Sequence, residues 1–234
     1  MFHVERLNQL AARYGLDERA VATLRTLLEY QAADEHASTT VRDPAEAVDR
    51  HVADSLVALE LQQVRSAHRL ADLGSGAGWP GLALAAALPD CHVALVESAS
   101  RRTRYLERAV EAAGLVNVSV VHARAEEWRD GLGAQDVVTA RALAALPVLC
   151  EYAAPLLRDQ GVLVAWKGDL DSAETEAGGL AAADLGLSTP EIRAVEPYPG
   201  AGAATLVLVR KIAPTPDRFP RRAGMALKRP LGRG

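Results

Sequence analysis

Twelve residues of the chain, Leu70-Ala71-Asp72-Leu73-Gly74-Ser75-Gly76-Ala77-Gly78-Trp79-Pro80-Gly81, combine a short apolar run, an acid and a cluster of glycines. Glycine lets a backbone turn sharply and lets a ligand approach the main chain with no Cβ in the way. Where such a turn enters a helix, free backbone N–H groups face whatever lies beyond. Glu97 closes the next apolar run, about twenty residues on, where a carboxylate is placed to accept hydrogen bonds from two ribose hydroxyls. Alone, the glycine stretch fits an ordinary strand-to-helix turn. With Glu97 in register it favours an adenosine-containing ligand. The spacing Gly74-x-Gly76-x-Gly78 differs from the Gly-x-Gly-x-x-Gly of dinucleotide sites, and Asp72 adds negative charge beside any pyrophosphate. The same acid suits S-adenosylmethionine (SAM), whose ammonium and sulfonium are cationic. Asp72, Gly74, Gly76, Gly78 and Glu97 are therefore candidate SAM-binding residues, with NAD as the alternative.

Three later apolar runs also end in residues able to do chemistry, and in an open parallel sheet ligands bind beyond the strand ends. The third ends at Ala123-Arg124-Ala125-Glu126-Glu127-Trp128, where backbone groups and the Glu126 acid are placed for an adenine edge; a helix-start carboxylate fits Glu126 as well. The fourth ends at Thr139-Ala140-Arg141-Ala142. Arg141 is a candidate for an RNA phosphate or the SAM carboxylate, or for a surface salt bridge. The fifth ends at Trp166-Lys167-Gly168, and Lys167 is one of only three lysines in a chain that otherwise uses arginine. A compact point charge there suits substrate positioning, though an incidental strand-end lysine fits too. His51, Asp54 and Ser55 fall on one expected helix with no Gly-x-Ser-x-Gly elbow, so a hydrolase triad is set aside. No His/Cys/Asp/Glu grouping has metal-ligand spacing, so no metal is expected.

The elements that position these residues are legible as patterns. Leu7, Leu10, Ala11 and Tyr14, then Val21, Leu24 and Leu28 after a capping Asp17, predict helices. A polar stretch from Asp34 to Asp43 interrupts them, and Pro44 opens a further helix covering His51, Leu56, Leu59 and Val64. From residue 70 the rhythm changes. Leu70–Leu73, His92–Val96, Val118–Val121, Val137–Thr139 and Val162–Trp166 read as strands, and Gly81–Leu88, Arg101–Ala113 and Ala142–Leu157 as helices between them. That alternation predicts an α/β fold with a parallel sheet covered on both faces. Glu191–Val195 and Thr205–Val209 are joined by too little chain for a helix and read as a terminal antiparallel hairpin. This hairpin fits the seven-stranded sheet of class I (Rossmann-like) SAM-dependent methyltransferases better than a dehydrogenase half. The expected division is a helical extension over 1–65, a SAM-binding core over 66–212 and a basic tail over 213–234.

Composition bounds the rest. The 234 residues carry 26 Lys+Arg against 30 Asp+Glu, a net charge of −4, with 49% hydrophobic residues. These are globular proportions with room for one main domain. The charge is unevenly placed. Residues 210–234 hold eight basic groups and one acid, net +7, leaving −11 on residues 1–209. The clustered Arg221, Arg222, Lys228 and Arg229, set among proline and glycine, suit contacts to nucleic-acid phosphates; a solvated terminus is the plainer reading. Two cysteines, Cys91 and Cys150, are too few for a disulfide framework and read as buried thiols in a reducing compartment. With no apolar leader or membrane span, the expectation is a cytoplasmic protein. A monomer is expected separately.

Taken in order, Arg50-His51-x-x-Asp54-Ser55-Leu56, Asp72 to Gly81, Val96-Glu97-Ser98, Arg124-Ala125-Glu126, Thr139-Ala140-Arg141-Ala142, Lys167-Gly168, Pro220-Arg221-Arg222-x-Gly224 and Pro230-Leu231 resemble one family over nearly the whole chain. It is the bacterial 16S ribosomal RNA guanine-N7 methyltransferases, the RsmG or glucose-inhibited division protein B (GidB) family. The resemblance implies SAM bound around Gly74, Trp79, Ala125, Glu126 and Arg141, with Glu97 on the ribose. It also implies 16S rRNA or the small ribosomal subunit as partner, and methyl transfer to a guanine N7. A methyltransferase for another RNA position or a small molecule, and an RNA-binding protein that keeps SAM only as a structural ligand, are the competing functions.

Overall fold

The computed structural model describes residues 2–34, 37, 39–41, 43–168, 170–202 and 204–232. Part of the polar stretch between Asp34 and Asp43, and Arg233 of the basic tail, lie outside them.

The two amphipathic patterns form α1 (Phe2–Tyr14) and α2 (Glu18–Ala33). Asp17 caps α2, its carboxylate accepting from the Ala20 N–H at 2.7 Å, which satisfies one orphan donor of the first turn. The chain from Pro44 departs from the single helix its spacing predicts. It runs as α3 (Pro44–Ala47), a π-helical turn at Val48–Ala53, α4 (Asp54–Leu56), a 3-10 turn at Val57–Glu60 and α5 (Gln62–Arg65). A π turn adds a residue to the helical circuit and re-aims the side chains that follow. Here it turns His51 inward and brings Asp54 to the sheet.

Seven strands follow: β1 (Arg69–Leu73), β2 (His92–Glu97), β3 (Val118–His122), β4 (Gln135–Arg141), β5 (Leu157–Lys167), β6 (Glu191–Val195) and β7 (Ala204–Arg210). Their order is β3-β2-β1-β4-β5-β7-β6. The first five are parallel, while β7 runs antiparallel to both β5 and β6. The order reverses between β1 and β4, so their carboxyl ends open a crevice at the sheet's topological switch point. The strands are apolar on both sides because side chains alternate between two cores. Leu70, Val93, Leu95, Val137 and Val164 pack towards the N-terminal helices, α6 (Gly81–Ala87) and α7 (Ser100–Ala112). Ala71, Val96, Val138, Leu163 and Val209 pack towards α8 (Leu146–Ala153) and α9 (Ser172–Asp184).

Two features differ from the pattern reading. The helix expected over Ala142–Leu157 is confined to α8, because Ala142 takes a left-handed φ of 53° and residues 142–145 form a loop. Sequence patterning also missed α9, whose inner face is built from small residues, Gly178, Ala181 and Ala182. A Cβ at Gly178 would lie 2.4 Å from a Leu146 methyl. Close packing there requires small residues, and these carry little periodic contrast.

The chain beyond residue 212 folds back onto the second core. Phe219 and Ala226 are buried in it, the latter on α10 (Met225–Lys228). Lys211, one of the basic groups counted with the tail, is buried with its ammonium on the Ala154 and Leu157 carbonyls, both at 2.9 Å. Cys91 and Cys150 are both free and buried, and burial pushes each thiol up to about 12. Among the described residues no helix is long and apolar enough to cross a membrane.

Candidate active site

The glycine stretch leaves β1 at the switch point with Gly74, Gly76 and Gly78 at φ of 66°, 56° and 98°. Gly76 has room for a side chain, whereas a Cβ on Gly78 would lie 2.1 Å from a Leu82 methyl and one on Gly74 would lie 2.6 Å from a Leu143 methyl. Beneath the stretch Asp72 is 1% exposed. One of its oxygens accepts from Thr139 Oγ1 on β4 at 2.8 Å and the other from the Gly81 N–H at 3.2 Å. Burial pushes this carboxyl up to about 6. Asp72 thus ties β1, β4 and the start of α6 together from below, its charge under the loop.

The β1–β2 register pairs Leu73 with Val96, which sets Glu97, the last residue of β2, one residue beyond the end of β1 and beside the loop. Its buried carboxylate accepts from the Gly76 N–H at 3.2 Å, from the Ala99 N–H at 2.8 Å and from Arg102 at 3.0 Å. Past β3, Ala125 and Glu126 lie in a 3-10 turn. With Gly74, Val96, Leu143 and Leu227 they line a cavity of about 150 Å³. The Glu126 carboxylate accepts from the Gly224 N–H at 2.8 Å, so the chain end reaches this cavity.

The Trp79 side chain points the other way, into the helical extension. Its indole N–H donates to Gln31 Oε1 at 2.6 Å, and its ring stacks on His51 at 5.6 Å between centroids and 9° between planes. Any part that Trp79 plays towards a ligand in the cavity falls to its backbone.

Arg141, the last residue of β4, donates to the Asp54 carboxylate at 2.7 Å and to the Arg50 carbonyl at 3.2 Å. The Trp166 indole donates to the Asp54 carbonyl at 2.7 Å. Asp54, Arg141 and Trp166, together with Ala142, Lys167 and Thr205, line an open cleft of about 390 Å³. Leu143 lies between cleft and cavity, where a Cβ on Gly74 would come within 2.6 Å of its methyl. Lys167 donates to the Ala144 carbonyl at 2.8 Å and to Glu174 at 2.6 Å. The same Glu174 oxygen accepts from the Leu146 N–H at 2.7 Å, so the pair staples the 142–145 loop to α9. His51, Asp54 and Ser55 form no relay. The Ser55 hydroxyl donates to the His51 carbonyl at 2.5 Å, His51 Nε2 lies 3.0 Å from Thr39 Oγ1, and Asp54 is held by Arg141. Burial, with the Arg141 charge second, pushes the imidazole down to about 4.

Of the four basic residues singled out near the C-terminus, Arg222, Lys228 and Arg229 are exposed. Arg221 is not free: its Nε donates to Glu151 at 2.6 Å, its Nη2 bonds the other Glu151 oxygen, and the same Nη2 reaches the Arg229 carbonyl at 2.9 Å. Glu151 and Gln31 gave no sequence signal, because each acts through a partner far along the chain. Asp54 had one, in Arg50-His51-x-x-Asp54, but spacing alone did not reveal its partner. Among the described residues no three metal-ligating side chains come together.

The residues fit SAM. The cavity offers apolar walls for a purine, Glu97 offers a buried acceptor for ribose hydroxyls, and Asp72 places negative charge beneath the loop. Sheet order, terminal hairpin, glycine turn and the acid closing β2 define a class I SAM-dependent methyltransferase. In fold the chain is similar to a SAM-dependent O-methyltransferase from Thermotoga maritima (TM-score 0.55, 17% identity, covering 70% of this chain and 66% of that one). It is also similar to a 16S rRNA (adenine(1408)-N(1))-methyltransferase variant from Catenulisporales acidiphilia (TM-score 0.54, 18% identity, 66% and 89%). Sequence relatives are nearer. Ribosomal RNA small subunit methyltransferase G of Rubrobacter xylanophilus is 39% identical over 100% of this chain and 95% of its own. The protein of the same name from Roseiflexus castenholzii is 40% identical over 97% and 100%. Residues 18–194 match the family described as GidB, rRNA small subunit methyltransferase G. The chain belongs to this family of rRNA methyltransferases.

Proposed function

We propose that the enzyme methylates N7 of a guanine in 16S rRNA, in line and without a general base. The observation that carries this reading is that, among the described residues, the two groups beside the cleft able to take a proton are committed elsewhere. Asp54 is held by Arg141 at 2.7 Å, and His51 is buried with its imidazole pushed down to about 4. Guanine N7 carries an in-plane lone pair and needs no deprotonation, whereas a ring N–H or a hydroxyl does. When bound, SAM supplies an electrophilic methyl on a sulfonium. The chain's part is alignment. In this reading Glu97 accepts from the ribose, Gly74, Gly76 and Gly78 let the ligand lie against the main chain, and Ala125 and Glu126 flank the purine. Asp72 fixes the loop from below. Arg141 positions the target at the mouth of the cleft, and Lys167 acts on it by holding the 142–145 loop.

Residues 1–65 serve as the extension and 66–212 as the core, with the exposed Arg222, Lys228 and Arg229 of the 213–234 segment on RNA phosphate. The working unit is a cytoplasmic monomer. The test is transfer of labelled methyl from SAM to purified small ribosomal subunits, followed by digestion to nucleosides. Label in 7-methylguanosine is expected; label at another position, or transfer only to small molecules, overturns the reading.

A further inference from the structure

The C-terminal segment does more than carry positive charge. Arg221 forks onto Glu151 of α8, which is 1% exposed, and also holds the Arg229 carbonyl at 2.9 Å. One side chain thereby fixes both ends of the 221–229 stretch. Midway, Gly224 at φ 81° donates its N–H to Glu126 at 2.8 Å. The turn delivers Leu227 to the cavity lined by Gly74, Val96, Ala125 and Glu126. Phe219 and Ala226 are buried as anchors, whereas Leu227 is left 56% exposed at the rim. A large aliphatic side chain held over an apolar slot by two polar clamps, and not itself buried, calls for something in the slot to cover it.

We propose that residues 219–232 form the outer wall of the cofactor's adenine pocket, with Leu227 closing on the purine and Arg221–Glu151 and Gly224–Glu126 as its positioning contacts. This rests on the SAM-site reading above. It divides the basic cluster by role: Arg221 orders the wall, and Arg222, Lys228 and Arg229 remain available on the same short segment for RNA.

The test measures binding of SAM, S-adenosylhomocysteine and adenosine to the full-length protein by calorimetry, with the thermal midpoint of the ligand-free protein alongside. Leu227→Ala should weaken all three by a similar factor, roughly 5- to 20-fold for removing an aliphatic side chain from the purine face, with an unchanged midpoint because Leu227 packs no core. Leu227→Met should restore most of the affinity. Arg221→Lys keeps the charge but loses the fork, and should weaken SAM while leaving the salt dependence of RNA binding unchanged. Unaltered affinity in Leu227→Ala, or loss for SAM but not for adenosine, overturns the wall. Glu97→Gln separates this from failure of the underlying site. If that variant loses SAM while Leu227→Ala does not, only the wall falls; if the parent binds no SAM, both do.

Discussion

Arg141 at the end of β4 donates to Asp54 at 2.7 Å, across 87 residues of chain. This ion pair joins the catalytic sheet to the helical extension at the rim of the cleft. Trp166 holds the same residue through its carbonyl at 2.7 Å. The extension is therefore a wall of the site as well as a packing element.

Asp54→Asn weakens this join while keeping an acceptor, and Arg141→Ala removes it. Methyl transfer should fall by roughly 10-fold in the first and 100-fold or more in the second, as expected when alignment is lost. Initial rates on small subunits, compared with SAM affinity, check this. The Asp54→Asn loss should sit mostly in the rate.

Lys167 and Glu174 should behave as one unit. Both hold the 142–145 loop, Lys167 through the Ala144 carbonyl and Glu174 through the Leu146 N–H. Lys167→Met and Glu174→Gln are expected to lower methyl transfer by similar factors, with the double variant little worse than either. Additive losses would mean that Lys167 touches the substrate itself.

Two glycines of one loop should fail differently. Gly78→Ala drives a Cβ to 2.1 Å from Leu82 at φ 98°, so about 2–4 kcal/mol of stability should be lost. Gly74→Ala meets only the end of the Leu143 side chain, 37% exposed, which can swing aside. It should melt within a few degrees of the parent yet lose SAM affinity. Thermal denaturation paired with calorimetry separates the two.

His51 sets part of the acid limit of stability. Its imidazole titrates at about 4 in the native chain against an ordinary 6.5. Between these values the unfolded chain binds a proton that the native chain does not. The stability that His51 contributes is therefore complete above pH 6.5 and lost as pH falls towards 4, amounting to about 3 kcal/mol. Asp72, raised to about 6, acts in the opposite sense, since its native carboxyl holds a proton longer. His51→Phe keeps an aromatic ring on Trp79 and leaves Asp72 alone. Urea melts at pH 7 and 4.5 should show a smaller acid-side loss in the variant than in the parent.

The basic residues near the C-terminus should separate into two groups. Alanine at Arg222, Lys228 or Arg229 should reduce the slope of log K against log salt for RNA binding by roughly 0.7 for each phosphate no longer neutralised. Arg221→Ala should instead destabilise the fold by about 3 kcal/mol, because Glu151 is left buried without its partner. Salt titrations and melting curves on the same variants test both.

By itself the sequence determined what depends on near neighbours. Strand positions followed from apolar runs, the N-cap from Asp17 before an amphipathic stretch, the turn after β1 from its glycines, and the hairpin from a connection too short for a helix. The tertiary structure decided where polar side chains turn. Trp79 faces Gln31 across 48 residues, Arg221 faces Glu151 across 70, and Glu126 receives Gly224 across 98. An arginine in a basic cluster has the same charge whether it meets water, RNA or a buried glutamate. Its partner is chosen by how the chain folds back, and that depends on long-range packing that local pattern does not encode. The π turn and α9 escaped for a related reason: both follow from contacts made by small or re-aimed side chains, which leave little periodic trace.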